Sequence, residues 1–179
     1  KNLVIARPKA DTKHCLDLMK QKRVEKLPLV DDDNRLMGLV TIKDIHKAFT
    51  FPDAVSDQRG RLCCGAALGC GPDLEERAHA LVKAGADVLV LDSAHGHSKN
   101  VGEAIKRLRS WFKDHLIVAG NVVTEEGANF LYEAGADVIK VGVGPGSICI
   151  TRVVAGVGIP QLSAIMSVGR AAKERGYAV

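Results

Sequence analysis

The sequence predicts an α/β fold, a (β/α)8 barrel of which about half is present. Three observations carry this. From residue 61 onward, short apolar runs alternate with stretches of helical period, the pattern of parallel strand–helix units. The segment Ala84-Gly85-Ala86-Asp87-Val88 recurs as Ala134-Gly135-Ala136-Asp137-Val138, and in each copy a glycine ends a helix just before a strand begins. Residue types suited to ligand contact follow several successive strands, which favours a closed barrel over an open sheet with one switch point. A full barrel needs about 250 residues. Only four strands and the start of a fifth are expected in this 179-residue chain, so a fragment is expected.

Residues 1–50 have a different rhythm. Thr12 is expected to cap a helix running to Arg23, with Cys15, Leu16, Leu18 and Met19 among charges. Residues 26–30 read as a short strand, Asp31-Asp32-Asp33-Asn34 as a turn, and residues 36–40 as a second strand, giving a hairpin. Thr41 precedes a short helix over 43–49; its hydroxyl can cap that helix, and Asp44 lies in the first turn. Residues 51–60 carry no apolar period and read as a linker. Beyond it, strands are expected over 62–68, 88–91, 116–119 and 138–141, and helices over 74–84, 99–112, 125–134 and 162–175. Tyr177-Ala178-Val179 begins a further strand.

Composition narrows the class. A hydrophobic share of 46% and a charged share of 26% are those of a soluble globular protein. The net charge of +4 is spread along the chain. Its densest basic cluster, Lys20, Lys22, Arg23 and Lys26, is diluted by Asp17 and Glu25. No basic stripe with aromatics appears, so nucleic acid is not an expected partner. No apolar stretch approaches the ~20 residues of a membrane span, and no signal peptide is visible. The five cysteines, Cys15, Cys63, Cys64, Cys70 and Cys149, are odd in number, and two are adjacent. This fits reduced thiols in the cytoplasm rather than a disulfide framework. Cys63, Cys64 and Cys70 lack zinc-ligand spacing and are expected to be core thiols.

The chemistry gathers after the strands. Their expected ends are Gly65-Ala66-Ala67, then Asp92-Ser93-Ala94-His95-Gly96-His97-Ser98, then Gly120-Asn121-Val122. The fourth is Gly142-Val143-Gly144-Pro145-Gly146-Ser147-Ile148-Cys149-Ile150-Thr151-Arg152. Glycines let backbone approach a ligand closely, and a thiol displayed on such a loop can act as a nucleophile. Ser147, Thr151 and Arg152 can bond a phosphate or lower a thiol pKa. A purely structural cysteine is the competing reading. Successive carbonyls of the loop could also bind a monovalent cation. Asp92 is either a cap or an acceptor for ribose hydroxyls. His95 and His97 share a face if extended; they either join Asp92 around a metal or pack separately. Asn121 either contacts a ligand or makes an Asx turn.

Residues 142–152, followed by Ala155-Gly156-Val157-Gly158-Ile159-Pro160-Gln161, closely resemble the catalytic loop of the inosine-5′-monophosphate dehydrogenase family, whose sister branch is guanosine monophosphate reductase. Residues 92–98 look like that family's cofactor-side strand end. Gly120-Asn121-Val122-Val123-Thr124, Gly60-Arg61-Leu62 and Gly65-Ala66-Ala67 also fit. Residues 1–50 look like the second CBS repeat of a domain inserted in the barrel, ending in Gly38-Leu39-Val40-Thr41-Ile42-Lys43-Asp44.

The resemblance implies a partial CBS domain over 1–50, a linker over 51–60 and the central part of a TIM barrel over 61–179. It implies NAD-dependent oxidation of IMP to XMP, with Cys149 attacking C2 of the purine and Thr151 assisting hydrolysis of the thioimidate. Ser147 matches the contact to the IMP phosphate. Asp92, Ser93, Ala94, Asn121, Gly142, Val143 and Gly144 match cofactor-side positions. The main-chain carbonyls of Gly144, Gly146 and Cys149 match ligands of a potassium ion. Thr41 and Asp44 match the positions that hold a regulatory purine nucleotide. A homotetramer, or a larger assembly, is implied as well. Residues 153–159 look like the dehydrogenase, whereas residues 120–124 and 160–164 lean to the reductase, an NADPH-dependent deaminase of GMP. A nucleotide-sensing protein without catalysis is the reading from another class. The family's Ala-Asp-Gly-Gly phosphate segment and its Arg-Tyr flap are not in this sequence. The 179-residue polypeptide is therefore expected to be inactive alone; XMP formation by it, followed by chromatography, would refute this.

Overall fold

The structure is a computed structural model that describes residues 3–58 and 60–179. Arg59, within the expected linker, lies outside the described residues. The chain forms two units, Lys1–Leu62 and Cys63–Val179.

The first unit contains α1 (Thr12–Lys22), β1 (Lys26–Val30), β2 (Leu36–Thr41) and α2 (Ile42–Thr50). The cap of α1 is Asp11, not Thr12: its carboxylate accepts the His14 N–H at 2.8 Å. An anionic acceptor one residue earlier satisfies the free N–H groups and favours the helix dipole. Arg23, expected inside the helix, instead closes it in the left-handed region at φ 52°. The hairpin forms as expected, antiparallel from Lys26↔Thr41 to Val30↔Leu36. Its turn is held by Asp31, whose Oδ1 accepts the N–H groups of Asp33 and Arg35 at 3.0 and 2.8 Å. Ala6, Cys15, Met19, Leu27 and Ile45 form the core.

The second unit contains β3 (Gly65–Leu68), α3 (Leu74–Ala84), β4 (Val88–Asp92), α4 (Lys99–Trp111), β5 (Leu116–Val122), α5 (Glu125–Ala134), β6 (Val138–Val141), α6 (Thr151–Ala155) and α7 (Gln161–Arg175). The sheet is parallel in the order β3-β4-β5-β6. Ala178 pairs with Val138 in the same direction, where the further strand was expected. Leu68, Leu89, Leu91, Ile117, Ala119 and Ile139 alternate onto one face and are buried with Ile105, Leu108, Leu131 and Val168 of the helices. The opposite face carries the registered row Ala67, Val90, Val118 and Val138, each half-buried or exposed. Helices α3, α4, α5 and α7 touch in series. Sequential strands with helices in a row on one face are consistent with part of a barrel wall; a doubly wound sheet reverses its order and carries helices on both faces.

The repeated pentapeptide is a strand-entry clamp. Gly85 and Gly135 close their helices in the left-handed region at φ 93° and 113°. Two residues later, Asp137 accepts the Ile117 N–H at 2.8 Å through Oδ2 and donates its own N–H to the Ile117 carbonyl at 2.9 Å. Asp87 does the same to Cys64, at 2.8 and 2.9 Å. Arg109 braces the second clamp, bonding Asp137 Oδ2 at 2.5 Å and the Gly135 carbonyl at 3.0 and 2.9 Å.

Several expectations change here. The first strand begins at Gly65 rather than 62, because Cys64 is taken into the clamp and Leu62 bridges back to Ser56. Gly65-Ala66-Ala67 is therefore the strand itself, not its exit. β5 extends to Val122 and contains Gly120-Asn121-Val122. Helix α6 was not expected. Cys15 is buried, but Cys63 is half-buried and Cys64 and Cys70 are exposed, since they lie outside the strand. Cys15, Cys64, Cys70 and Cys149 are free thiols.

Removing the Asp137 carboxylate strands the Ile117 N–H and takes the carboxylate partner from Arg109, leaving that guanidinium only main-chain carbonyls. Asp137→Ala should lower stability by about 1–3 kcal/mol, measured by urea unfolding, whereas exposed Asp114→Ala should shift it by less than about 0.5 kcal/mol.

Candidate functional site

The carboxyl ends of β4, β5 and β6 carry the candidate residues. Beyond β6, Gly142 and Gly144 take positive φ of 126° and 60°, conformations that favour glycine. The Gly142 N–H donates to the Val122 carbonyl at 2.8 Å. Gln161 Nε2 donates to the Val141 carbonyl at 2.9 Å, and a Cβ on Gly142 would collide with that amide. The loop is thus pinned where it leaves the sheet.

Cys149 is exposed at the far end of this loop, its N–H bonded to the Gly146 carbonyl at 3.0 Å. Its Sγ lies 3.2 Å from Thr151 Oγ1. Bonds from the Thr151 hydroxyl, and then from its N–H, hold the thiol below its ordinary pKa; slight desolvation opposes this, and the Arg152 charge adds a smaller favourable effect. The thiolate, the reactive form, is therefore present at lower pH than for a free cysteine. Arg152 does not reach toward a phosphate. Its Nε donates to the Val143 carbonyl and its Nη2 to the Ile159 carbonyl, both at 2.7 Å. Ser147 is exposed in the loop, and Ile148 beside it is 95% exposed.

Asp92 ends β4. It does not cap a helix; its Oδ1 accepts from Lys140 Nζ of β6 at 2.9 Å. Between them in register lies Gly120, where a Cβ would stand 2.7 Å from Lys140 Cβ. The absent side chain lets an ion pair cross a whole strand. Ser93 ties its segment to β5, donating its N–H to the Gly120 carbonyl at 2.9 Å and accepting the Asn121 N–H at 2.7 Å. Ala94 is exposed just beyond. Gly96 donates to the Asn121 carbonyl at 2.8 Å. His95 and His97 do not converge: the Ser93 hydroxyl bonds the His95 carbonyl, while the His97 ring packs 5.1 Å from Phe130. No cluster of three metal-ligating side chains occurs among the described residues.

Asn121 sits within β5, so it makes no Asx turn. Its Oδ1, and Oε1 of Gln161, are buried without a donor. A buried unpaired oxygen costs about 1–3 kcal/mol, which a ligand donor would recover.

In the first unit, Thr41 and Asp44 form a reciprocal cap on α2: Asp44 Oδ2 accepts the Thr41 N–H at 3.0 Å and hydroxyl at 2.6 Å, and Thr41 Oγ1 accepts the Asp44 N–H at 3.3 Å. These bonds hold the Asp44 carboxyl below its usual range. Asp44 also lines a cavity of about 500 Å3 with Lys47, Phe51, Ser56 and Leu62.

The positioning roles of three residues, Lys140, Gln161 and Arg152, were not expected from the sequence. Lys140 had a visible signal, one charge within an apolar strand. Gln161 had none. Arg152 was noticed, but its carbonyl partners lie nine and seven residues away and could not be read.

Residues 9–179 match the family described as IMP dehydrogenase / GMP reductase domain. The chain is 48% identical over 178 residues to inosine-5′-monophosphate dehydrogenase of Halalkalibacterium halodurans, covering 99% of this chain and 37% of that one. It is 51% identical over 178 residues to the Streptococcus pyogenes protein of the same name, covering 99% and 36%. The crystal structure of GMP reductase from Trypanosoma brucei in complex with guanosine 5′-triphosphate superposes with a TM-score of 0.76 at 44% identity, covering 98% of this chain and 42% of that one. The chain thus spans little more than a third of the curated relatives it matches.

The thiols should titrate apart. The Cys149 thiol is lowered, whereas partial desolvation raises that of Cys70. In alkylation followed by mass spectrometry, Cys149 should reach half its maximal rate at a lower pH than Cys70. Thr151→Val should move the Cys149 curve to higher pH and leave that of Cys70 in place.

Proposed function

This chain belongs to the IMP dehydrogenase / GMP reductase family, and from that premise we propose that it is the loop-bearing part of an NAD-dependent IMP dehydrogenase with a (β/α)8 barrel. The observation that carries the reading is the Cys149 sulfur, exposed on a glycine-bordered loop and 3.2 Å from Thr151 Oγ1. The Cys149 thiolate adds to C2 of IMP, and C2 becomes tetrahedral. Loss of hydride from C2 leaves a thioimidate on sulfur, and water cleaves it to release XMP. Thr151, already bonded to the sulfur, is positioned to guide that water, and Ser147 to meet the phosphate.

NAD supplies the hydride acceptor. The residues at the rim suit it: the Asp92 carboxylate can accept from ribose hydroxyls, and Asn121 Oδ1 is a buried acceptor without a donor. Ser93, Ala94, Gly142, Val143 and Gly144 complete this side. The carbonyls of Gly144, Gly146 and Cys149 are neutral oxygen donors of the kind a potassium ion takes. The Gly146 carbonyl accepts one N–H, from Cys149, and keeps a second lone pair.

The first unit is read as the second CBS repeat over residues 1–50, with 51–60 as linker and the barrel segment from 61. Thr41 and Asp44 would hold the ribose of a purine nucleotide from the mouth of the Asp44 cavity. The full protein would be a homotetramer. A second reading, GMP reductase, is favoured by the likeness to the Trypanosoma brucei structure, but the curated dehydrogenases lie nearer in sequence, at 48% and 51% against 44%.

The test is NADH absorbance from the natural full-length protein with IMP and NAD. Turnover is expected, and Cys149→Ala should lower kcat at least about a thousandfold. Consumption of NADPH with GMP, and no NADH from IMP, would move the assignment to the reductase.

A further inference from the structure

We propose that Arg152 is a positioning residue, a two-armed clamp that joins the segment before Cys149 to the segment after α6 and thereby seats Thr151 against the cysteine sulfur. This rests on the reading of Cys149 as the nucleophile.

The geometry has three parts. First, the two arms reach different stretches of chain. Nε meets the Val143 carbonyl, six residues before the cysteine, and Nη2 meets the Ile159 carbonyl, beyond α6, each at 2.7 Å. Second, the side chain runs through a slot bounded by two glycines. A Cβ on Gly144 would stand 3.1 Å from Arg152 Cγ and 3.3 Å from Thr151 Cβ; one on Gly158 would stand 2.8 Å from Arg152 Cδ. One glycine on each side of α6, Gly144 and Gly158, is thus accounted for by one arginine stem. Third, Arg152 directly follows Thr151 at the start of α6, a helix of only five residues with no buried residue of its own. Such a helix has little packing to hold it, so its placement falls to bonds from its own side chains. Fixing Arg152 at both arms fixes the residue before it, and Thr151 Oγ1 is thereby held 3.2 Å from Cys149 Sγ. A lysine could reach one carbonyl but not span both, because only the guanidinium offers a rigid fork.

The test is the rate at which Cys149 is modified by iodoacetamide at one fixed pH, read by mass spectrometry on the whole chain. Arg152→Ala should slow it about threefold to tenfold, the scale of coupling between residues in contact. Arg152→Lys should not restore it. Millimolar ethylguanidinium should restore it in Arg152→Ala. In a Thr151→Val background, Arg152→Ala should add only the small loss of its direct charge effect, well short of threefold, because the arginine acts chiefly through the threonine. Gly158→Ala, which keeps the charge but crowds the slot, should reproduce the loss if Arg152→Ala does not fold. Arg170→Ala, an exposed arginine paired with Glu125, is the control and should be silent. An unchanged rate in both Arg152→Ala and Gly158→Ala overturns the clamp. So does a full multiplication of the Thr151 and Arg152 effects, which would make Arg152 an independent charge. NADH formation from IMP is measured separately on the natural full-length protein, so a clamp that holds without turnover there would count against the dehydrogenase reading alone.

Discussion

Two aspartates fix the register of β4 on β3 and of β6 on β5, and the far end of the sheet depends on the second. Asp87 and Asp137 each grip one residue at the start of the preceding strand through both carboxylate and N–H. A slip of one residue in a strand turns every side chain to the other face. Asp92, Gly120 and Lys140 share a row only because the strands start in register. Shifted by one, the Asp92 carboxylate and the Lys140 ammonium would point to opposite sides of the sheet. The Asp137 clamp, which fixes β6 on β5 at one end, therefore sets the Gly120–Lys140 half of that row at the other, a strand's length away. Glycine at the helix end is part of the same device, since the left-handed turn at Gly85 and Gly135 brings each aspartate to its grip within two residues.

At the carboxyl end a second rule operates, in which missing side chains determine where long ones go. Gly120 leaves room for Lys140 to reach Asp92. Gly142 leaves room for the Gln161 amide, and Gly144 with Gly158 for the stem of Arg152. In each case a methyl group would meet backbone or a committed side chain, and close-packed interiors absorb such volume poorly. The loop gains its order from these pairings, since it contributes almost nothing to the hydrophobic core.

This division explains what could be read in advance. Helices over 74–84 and 125–134 were legible because an apolar period and a terminal glycine agreed. The repeat was legible as a recurrence, although its meaning as a clamp needed the partner residues Cys64 and Ile117. Helix α6 was not legible, because five residues are too few for a period to appear. Cys63 and Cys64 were misassigned because an apolar run looks the same whether it enters a strand or lies before one. The role of Asp92 stayed open for a different reason: its partner is 48 residues away, and no local pattern announces a contact across an intervening strand.

The reactivity of the thiol and its enclosure have separate origins. What lowers the Cys149 thiol is contained within two residues, chiefly the Thr151 hydroxyl and N–H. A short stretch of chain can therefore carry a poised nucleophile. Enclosure is another matter. Ile148 and Ile150, which flank the cysteine in sequence, and Val153 and Val154 of α6 are 95%, 68%, 84% and 76% exposed. Covering apolar surface of that kind is worth roughly 25 cal/mol per Å2, so the same side chains that leave the sulfur open also favour whatever closes over it. A nucleotide that brought its purine against these residues would gain that burial and exclude water from the sulfur in one step. Under the proposed dehydrogenase reaction, water must return for the thioimidate to be cleaved. A threonine beside the sulfur suits that proposal, since its hydroxyl can both stabilise a thiolate and orient a water, where an apolar neighbour could do neither.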